Sequence, residues 1–161
     1  MDLIILDCGT DIKGESILEG FKDKIELLSF SNGVSQAITG DPSNTKRTHG
    51  RPNFQDLTVA KYQDLSTNKL IDYCLQAKPI TDLKLFLGIN DNGKVTKSYQ
   101  IEMKNALVSS YSVGGGGGGK PTETITFNFT HITWTYTAQK TEVSEAGNLP
   151  TKWDLTTNTN K

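Results

Sequence analysis

Long apolar runs, a cysteine framework, a histidine cluster and an excess of either charge are all missing from this 161-residue sequence. Lys plus Arg number 17 against 18 for Asp plus Glu, so nothing in the overall charge asks for nucleic acid or an anionic membrane. The two cysteines, Cys8 and Cys74, show no pairing signature and no secretory context, and read as reduced thiols. His49 and His131 are the only histidines, and neither has a Cys or His at metal-ligand spacing. No G-x-S-x-G, H-E-x-x-H or C-x-x-C occurs. Enzymatic activity, metals and cofactors are therefore not expected. The N-terminal apolar run stops after Leu3–Leu6 with no basic residue before it. It reads as neither a signal peptide nor a membrane span, and the expectation is a protein made in the cytoplasm that leaves, if it does, without a cleaved leader.

What the sequence has is alternation. From Thr122 to Tyr136, apolar and polar residues alternate for longer than anywhere else: Ile125, Phe127 and Phe129 against Thr124, Thr126, Asn128 and Thr130, then Ile132, Trp134 and Tyr136. This is the period of a half-buried strand, and its apolar phase moves by one residue around Thr130 and His131, as a bulge or corner would require. The segment Lys24–Ser31 repeats the device, with Ile25 and Leu27 on one face and Leu28 and Phe30 on the other. Two face swaps point to a closed or nearly closed barrel. Leu3–Leu6, Leu57–Tyr62, Leu83–Ile89, Val95–Met103 and Leu107–Val113 add strands, with Lys152–Leu155 as a last short one. Asn92-Gly93 marks a hairpin turn. Ser66 is placed to cap a helix through Lys78, whose buried stripe is Leu70, Ile71, Cys74 and Leu75 and which Pro79 closes. With 35% apolar and 22% charged residues and many turn formers, the chain reads as mainly β, a compact barrel of two packed sheets with one flanking helix. Its length fits one domain over residues 1–161, ending in a polar tail at about 156–161 that looks frayed.

Two segments stand apart. Thr39–Asn53 contains no aliphatic or aromatic residue and carries Lys46, Arg47 and Arg51, which makes it a long cationic loop, either a mobile one or an arm that docks on a partner. Gly114–Gly119 with Lys120 satisfies all but the last position of a phosphate-binding loop. Pro121 stands where Ser or Thr is needed, and a strand follows where a helix must open, so the tract reads as a strand connection.

Several segments, in order, resemble one family. They are Asp11-Ile12-Lys13-Gly14-Glu15-Ser16; Ile25–Ser31 with Gly33-Val34-Ser35-Gln36; Gln55-Asp56-Leu57-Thr58 with Lys61-Tyr62 and Ser66-Thr67; Val108–Val113 before the glycines; and Thr122–Ile125 with the aromatic strand after it. Together, from about Leu3 to Leu155, they resemble the haemolysin-coregulated protein (Hcp) family, the tail-tube subunits of type VI secretion. The resemblance implies a phage tail-tube-like β-barrel that forms hexameric rings. These stack into a tube that a contracting sheath expels, with a spike at its tip and effectors in its lumen. It implies no enzyme, and with about six residues after Leu155 no fused toxin domain is expected. The long loop coincides with the family's extended loop, so that Pro42, Ser43, Asn44, Thr45, Lys46, Arg47, Thr48, His49 and Arg51 become candidates for the subunit or ring interface. Ser29, Ser31 and Ser35 fall where the family faces its lumen. The sequence departs from other members at Phe21–Lys24, in the composition of the long loop and in the length of the glycine run, which leaves stacking and cargo choice open. A phage-like tail tube outside secretion is the alternative, and a small β-barrel ligand-binding protein a more distant one.

Overall fold

The computed structural model describes residues 3–38, 43, 50–91, 93–138 and 148–161, and of Asp91 the backbone only. In chain order these form β1 (Leu3–Asp7), β2 (Ile25–Glu26), β3 (Ser29–Ser31), β4 (Val34–Ser35), β5 (Asn53–Phe54), β6 (Leu57–Tyr62), α1 (Thr67–Gln76), β7 (Ile80–Asp91), β8 (Lys94–Gly114), β9 (Thr122–Asn128), β10 (His131–Thr137) and β11 (Asn148–Asp154). Strands β2, β1, β7, β8, β9, β6 and β3 lie side by side in that order, β10 pairs with β8 and β11 with β10, and β4 and β5 form a separate ribbon.

Strand β8 explains the two layers. Its first part pairs with β7 and β10, and residues 107–114 pair with β9, so a single strand belongs to both layers. Asn105, at φ +51°, sits at the turn between the two parts. The same residues of β8 that change layer are matched by a break in the long aromatic strand, which the alternation suggested would be continuous. It divides into β9 and β10, and Thr130 between them donates its N–H to the Lys104 carbonyl at 3.1 Å. The second face swap is a corner too. The Leu27 N–H bonds to Ile4 in one layer and the Leu28 N–H to Ala60 in the other, at 2.9 and 2.8 Å.

Closure is where the barrel expectation needs correction. The hydrogen-bonded order runs open from β2 to β3. At Leu27–Leu28 the chain passes from one layer to the other, with β2 paired only to β1 and β3 only to β6, and no ladder joins β2 to β3 among the described residues. The mainly β class and the packing of two layers hold. Ile4, Leu6, Ile25, Leu83, Leu85, Ile101, Met103 and Ile132 of one layer share a core with Leu57, Val59, Val108, Ile125 and Phe127 of the other. Burying each of these side chains contributes roughly 1.5–3 kcal/mol.

Helix α1 contributes Leu70 and Tyr73 to that core and packs on β8. Its buried stripe differs from the expected one, since Leu75 is 80% exposed. Ser66 stands just before the helix, but its hydroxyl bonds to Asp64 and provides no side-chain cap. β7 and β8 pair as an antiparallel hairpin, with Asp91 opposite Lys94 and Gly93 at φ +79°; Asn92 lies outside the described residues. The polar tail is a tied turn, in place of a frayed end. Asp154 accepts from the Thr156 hydroxyl at 2.6 Å and the Thr157 hydroxyl at 2.9 Å, and its backbone bridges Thr159.

Candidate functional site

The two outward faces of the molecule differ in chemistry, and this difference is what the fold builds. In the layer of β3, β6, β9 and the end of β8, the inward phase is apolar except for Lys61 and Glu123, and the outward phase is mostly hydroxyl. Ser31, Thr58, Thr126 and Ser110 form one rung across the four strands, and Ser29, Ala60, Thr124 and Ser112 form the next. Neither rung carries a charge. All of these residues are exposed or half-buried. A register shift between Val108 and Ser110 turns Ser109 outward as well, where it bonds to Asp56 at 2.8 Å and Thr126 at 2.6 Å. Asn128 donates to Asp56 at 2.9 Å, so one carboxylate borders the hydroxyl field and is occupied by it. Hydroxyls donate and accept equally, and a surface of them is well hydrated without attracting either charge.

Of the expected lumen residues, Ser29 and Ser31 lie on this face. Ser35 does not: it is in β4, opposite Asn53, at the foot of the long loop. That foot is firmly attached. Phe54 stacks on Trp134 with centroids 6.1 Å apart and meets Phe129 edge-on at 6.2 Å. Trp134 reaches Asn32 at 3.4 Å, and Gln36 donates to the Gly50 carbonyl at 2.6 Å. Of the proposed loop contacts, Ser43 and Arg51 are described and exposed. Pro42, Asn44, Thr45, Lys46, Arg47, Thr48 and His49 lie outside the described residues.

The hydroxyl layer ends at β3 on one side and at residues 107–114 of β8 on the other. Among the described residues each has one edge without a strand partner. Such edges are templates for another chain.

Behind this face is a polar cluster that no sequence motif marks. Lys61 of β6 and Glu123 of β9 are opposite one another, both fully buried, with Nζ 2.6 Å from Oε2. Lys61 also meets Asp64 at 2.8 Å, and the Tyr111 hydroxyl donates to the other oxygen of Glu123 at 2.7 Å. Burial, and after it the Glu123 carboxylate, pushes the Tyr111 phenol up to about 12. The signal was present in the strand phase: Lys61 follows Leu57 and Val59, and Glu123 precedes Ile125 and Phe127, on the inward positions.

The other layer presents charge. Asp82, Lys104, His131 and Asp154 make one rung across β7, β8, β10 and β11, and Lys84, Glu102, Thr133 and Lys152 the next. His131 Nε2 lies 3.2 Å from Asp154 and its Nδ1 2.9 Å from the Thr130 hydroxyl, so this histidine ties β10 to β11. The Thr156 hydroxyl, with the neighbouring Thr157 hydroxyl and amides, holds the Asp154 carboxyl well below the usual range. No group of three or more metal-ligating side chains is found among the described residues. The glycine tract joins β8 to β9, with Gly114 opposite Thr122, and no helix follows it.

The family model for the type VI secretion system effector Hcp matches residues 6–136. The chain belongs to the Hcp family. Protein hcp1 of Pseudomonas aeruginosa is 33% identical over 150 residues, 92% of each chain. A solved type six secretion system protein superposes with a TM-score of 0.91 at 27% identity, covering all of both chains. Hcp1 from Salmonella typhimurium shares the fold, with a TM-score of 0.78 at 21% identity over 97% of this chain and 96% of its own. The Hcp family is one of structural proteins secreted by the type VI system, and among the described residues no helix is long and apolar enough to cross a membrane.

Proposed function

We propose that the chain is a tube subunit, assembling into hexameric rings that stack into a hollow conduit, and that the hydroxyl face lines the lumen. The observation that carries this reading is the pair of uncharged Ser/Thr rungs, Ser31–Thr58–Thr126–Ser110 and Ser29–Ala60–Thr124–Ser112, on a layer whose two edges lack strand partners among the described residues. Joining the β3 edge of one copy to the β8 edge of the next is a heterologous contact, and such contacts generate rings when the rotation closes. Repeated around a ring, it turns a patch of hydroxyls into a continuous hydrated wall. Effectors of varied sequence pass such a wall without being held by charge, and Ser29 and Ser31 are the residues that would meet them. The cationic loop, raised on its aromatic foot, reaches the adjacent subunit or ring. The contractile sheath and the tip spike are the remaining partners, and the subunit leaves the bacterial cytoplasm through the apparatus it helps to build. Its activity is self-assembly, with no catalytic step. Mass in solution together with negative-stain images tests this: hexamers with an open centre are expected. A strict monomer from micromolar to millimolar concentration would overturn it.

A further inference from the structure

The connection between β1 and β2 is unusual for a loop. Its backbone is bonded to itself: Gly14 and Ser16 donate to Asp23 and Lys24, Asp23 donates back to Ser16, and Phe21 donates to Leu18, at 2.9–3.1 Å. A Cβ at Gly14 would collide with the Lys24 carbonyl, so the crossing needs glycine. Phe21 is buried against Ile5 and Phe86, which fastens the loop to the charged layer. This ordered scaffold holds Ile17 at its tip, 92% exposed, between the exposed carboxylates of Glu15 and Glu19. An isolated exposed isoleucine needs no explanation, but one displayed rigidly between two like charges has the form of a knob.

Toward the opposite edge of the same layer is a cleft of complementary character. Lys84, Lys104, Lys152 and Lys161 line it with the half-buried Trp153, while Met103 and Ile132 beneath are each 1% exposed and belong to the core. Lys84 is engaged by Glu102 at 3.5 Å. Among the described residues Lys104, Lys152 and Lys161 have no ion-pair partner. Asp82 and Glu102 also line the cleft, so four lysines face two carboxylates. Two other clefts suit the knob poorly. One carries Asp11 and Asp82, and the other Glu26, Asp64 and Glu15 itself, which would repel a pair of glutamates.

We infer that the Glu15–Ile17–Glu19 knob of one copy seats in the Lys104–Lys152–Lys161 cleft of the next. The knob springs from the β1–β2 side of the layer and the free lysines centre on β8 and β11 at the other side, with β7 between. A contact between two different patches at opposite sides of one layer is head-to-tail, the kind a ring requires. Ile17 would pack on Trp153 and the aliphatic stems of the lysines, and Glu15 and Glu19 would meet their ammonium groups at the rim. Ring formation is the premise here, and the contact would be a second one beside the strand edges.

A charge swap on the full-length chain tests it, read by mass in solution and negative-stain imaging, with thermal melts as a check on folding. Lys104→Glu/Lys152→Glu and Glu15→Lys/Glu19→Lys should each raise the concentration for half-assembly at least tenfold, and the four changes together should restore most of it. Ile17→Ser, at a position too exposed to affect folding, should weaken assembly in the same direction. If the double variants fold but form rings as the wild type does, or if the fourfold variant is as defective as either double, the knob contact is wrong and ring formation stands. If the wild type itself stays monomeric, both fall.

Discussion

At the scale of single residues, Lys61 and Glu123 form an ion pair with both side chains fully buried. Taking two charges out of water costs several kcal/mol per ion, and only close pairing with further hydrogen bonds offsets it. Both conditions hold: Lys61 has Asp64 as a second carboxylate, and Glu123 has the Tyr111 hydroxyl. Glu123 Oε2 has the Lys61 ammonium beside it and no other hydrogen-bond partner among the described residues, so removing the lysine strands a buried carboxylate. Lys61→Met should therefore destabilise by about 3–5 kcal/mol in urea unfolding, whereas Lys61→Met/Glu123→Leu should regain part of that loss. Tyr111 reports the same site by absorbance. Its folded value, near 12, lies above the ordinary value of 10.0, so its contribution to stability is whole below pH 10 and is lost as pH rises through 12. In Glu123→Gln the phenol should titrate lower, because the neighbouring charge is gone while burial remains. A double variant as unstable as the single, with an unmoved tyrosine titration, would mean that the pair is not coupled.

Elements show why part of the fold was legible and part was not. Helix α1 gives a clean case. Leu70 and Leu75 both belong to the stripe expected from the sequence, yet Leu70 is fully buried and Leu75 is 80% exposed, because the helix buries the face of Leu70 and Tyr73, and Leu75 lies about 140° round from Leu70. Leu70→Ala should cost about 2–5 kcal/mol in denaturant unfolding, and Leu75→Ala should stay within about 0.5 kcal/mol. Equal effects would put the helix on a different face. Local periodicity finds an amphipathic helix but does not tell a marginal apolar position from a central one, since the neighbour that decides comes from elsewhere in the chain. Strands behave alike. The phase changes at Leu27–Leu28 and around Thr130 were visible because side-chain direction alternates residue by residue. That β8 would run unbroken for 21 residues through both layers was not visible, because its turn at Asn105 is set by pairing with β7, β9 and β10. The hydroxyl face was half legible: Ser29 and Ser31 came from the resemblance, but a rung needs the register of four strands, which no single segment contains.

For the whole molecule, the proposed tube reading gives the different faces and edges different steps of assembly. Strand edges and the proposed knob lie at the sides of the layers, where they would act within a ring. The long loop is flanked by the β4–β5 ribbon, where Phe54 packs on Phe129 and Trp134. Of its three cations Arg51 is exposed and outside the core, and Lys46 and Arg47 lie outside the described residues; on the proposed reading all three meet a partner's carboxylates. Reversing all three to glutamate should leave the melting temperature within a few degrees of the wild type, because exposed charges contribute at most about 1 kcal/mol each to folding. It should also leave rings intact while shortening or abolishing stacked tubes in electron micrographs. The loss should be mimicked in the wild type by high salt, which screens exposed pairs beyond roughly 3 Å at 1 M. If the reversed variant stacks as the wild type does, the loop is no part of the ring-to-ring contact. Loss of the rings as well would place the loop within the ring, between neighbouring subunits, and would make the strand edges insufficient to hold it.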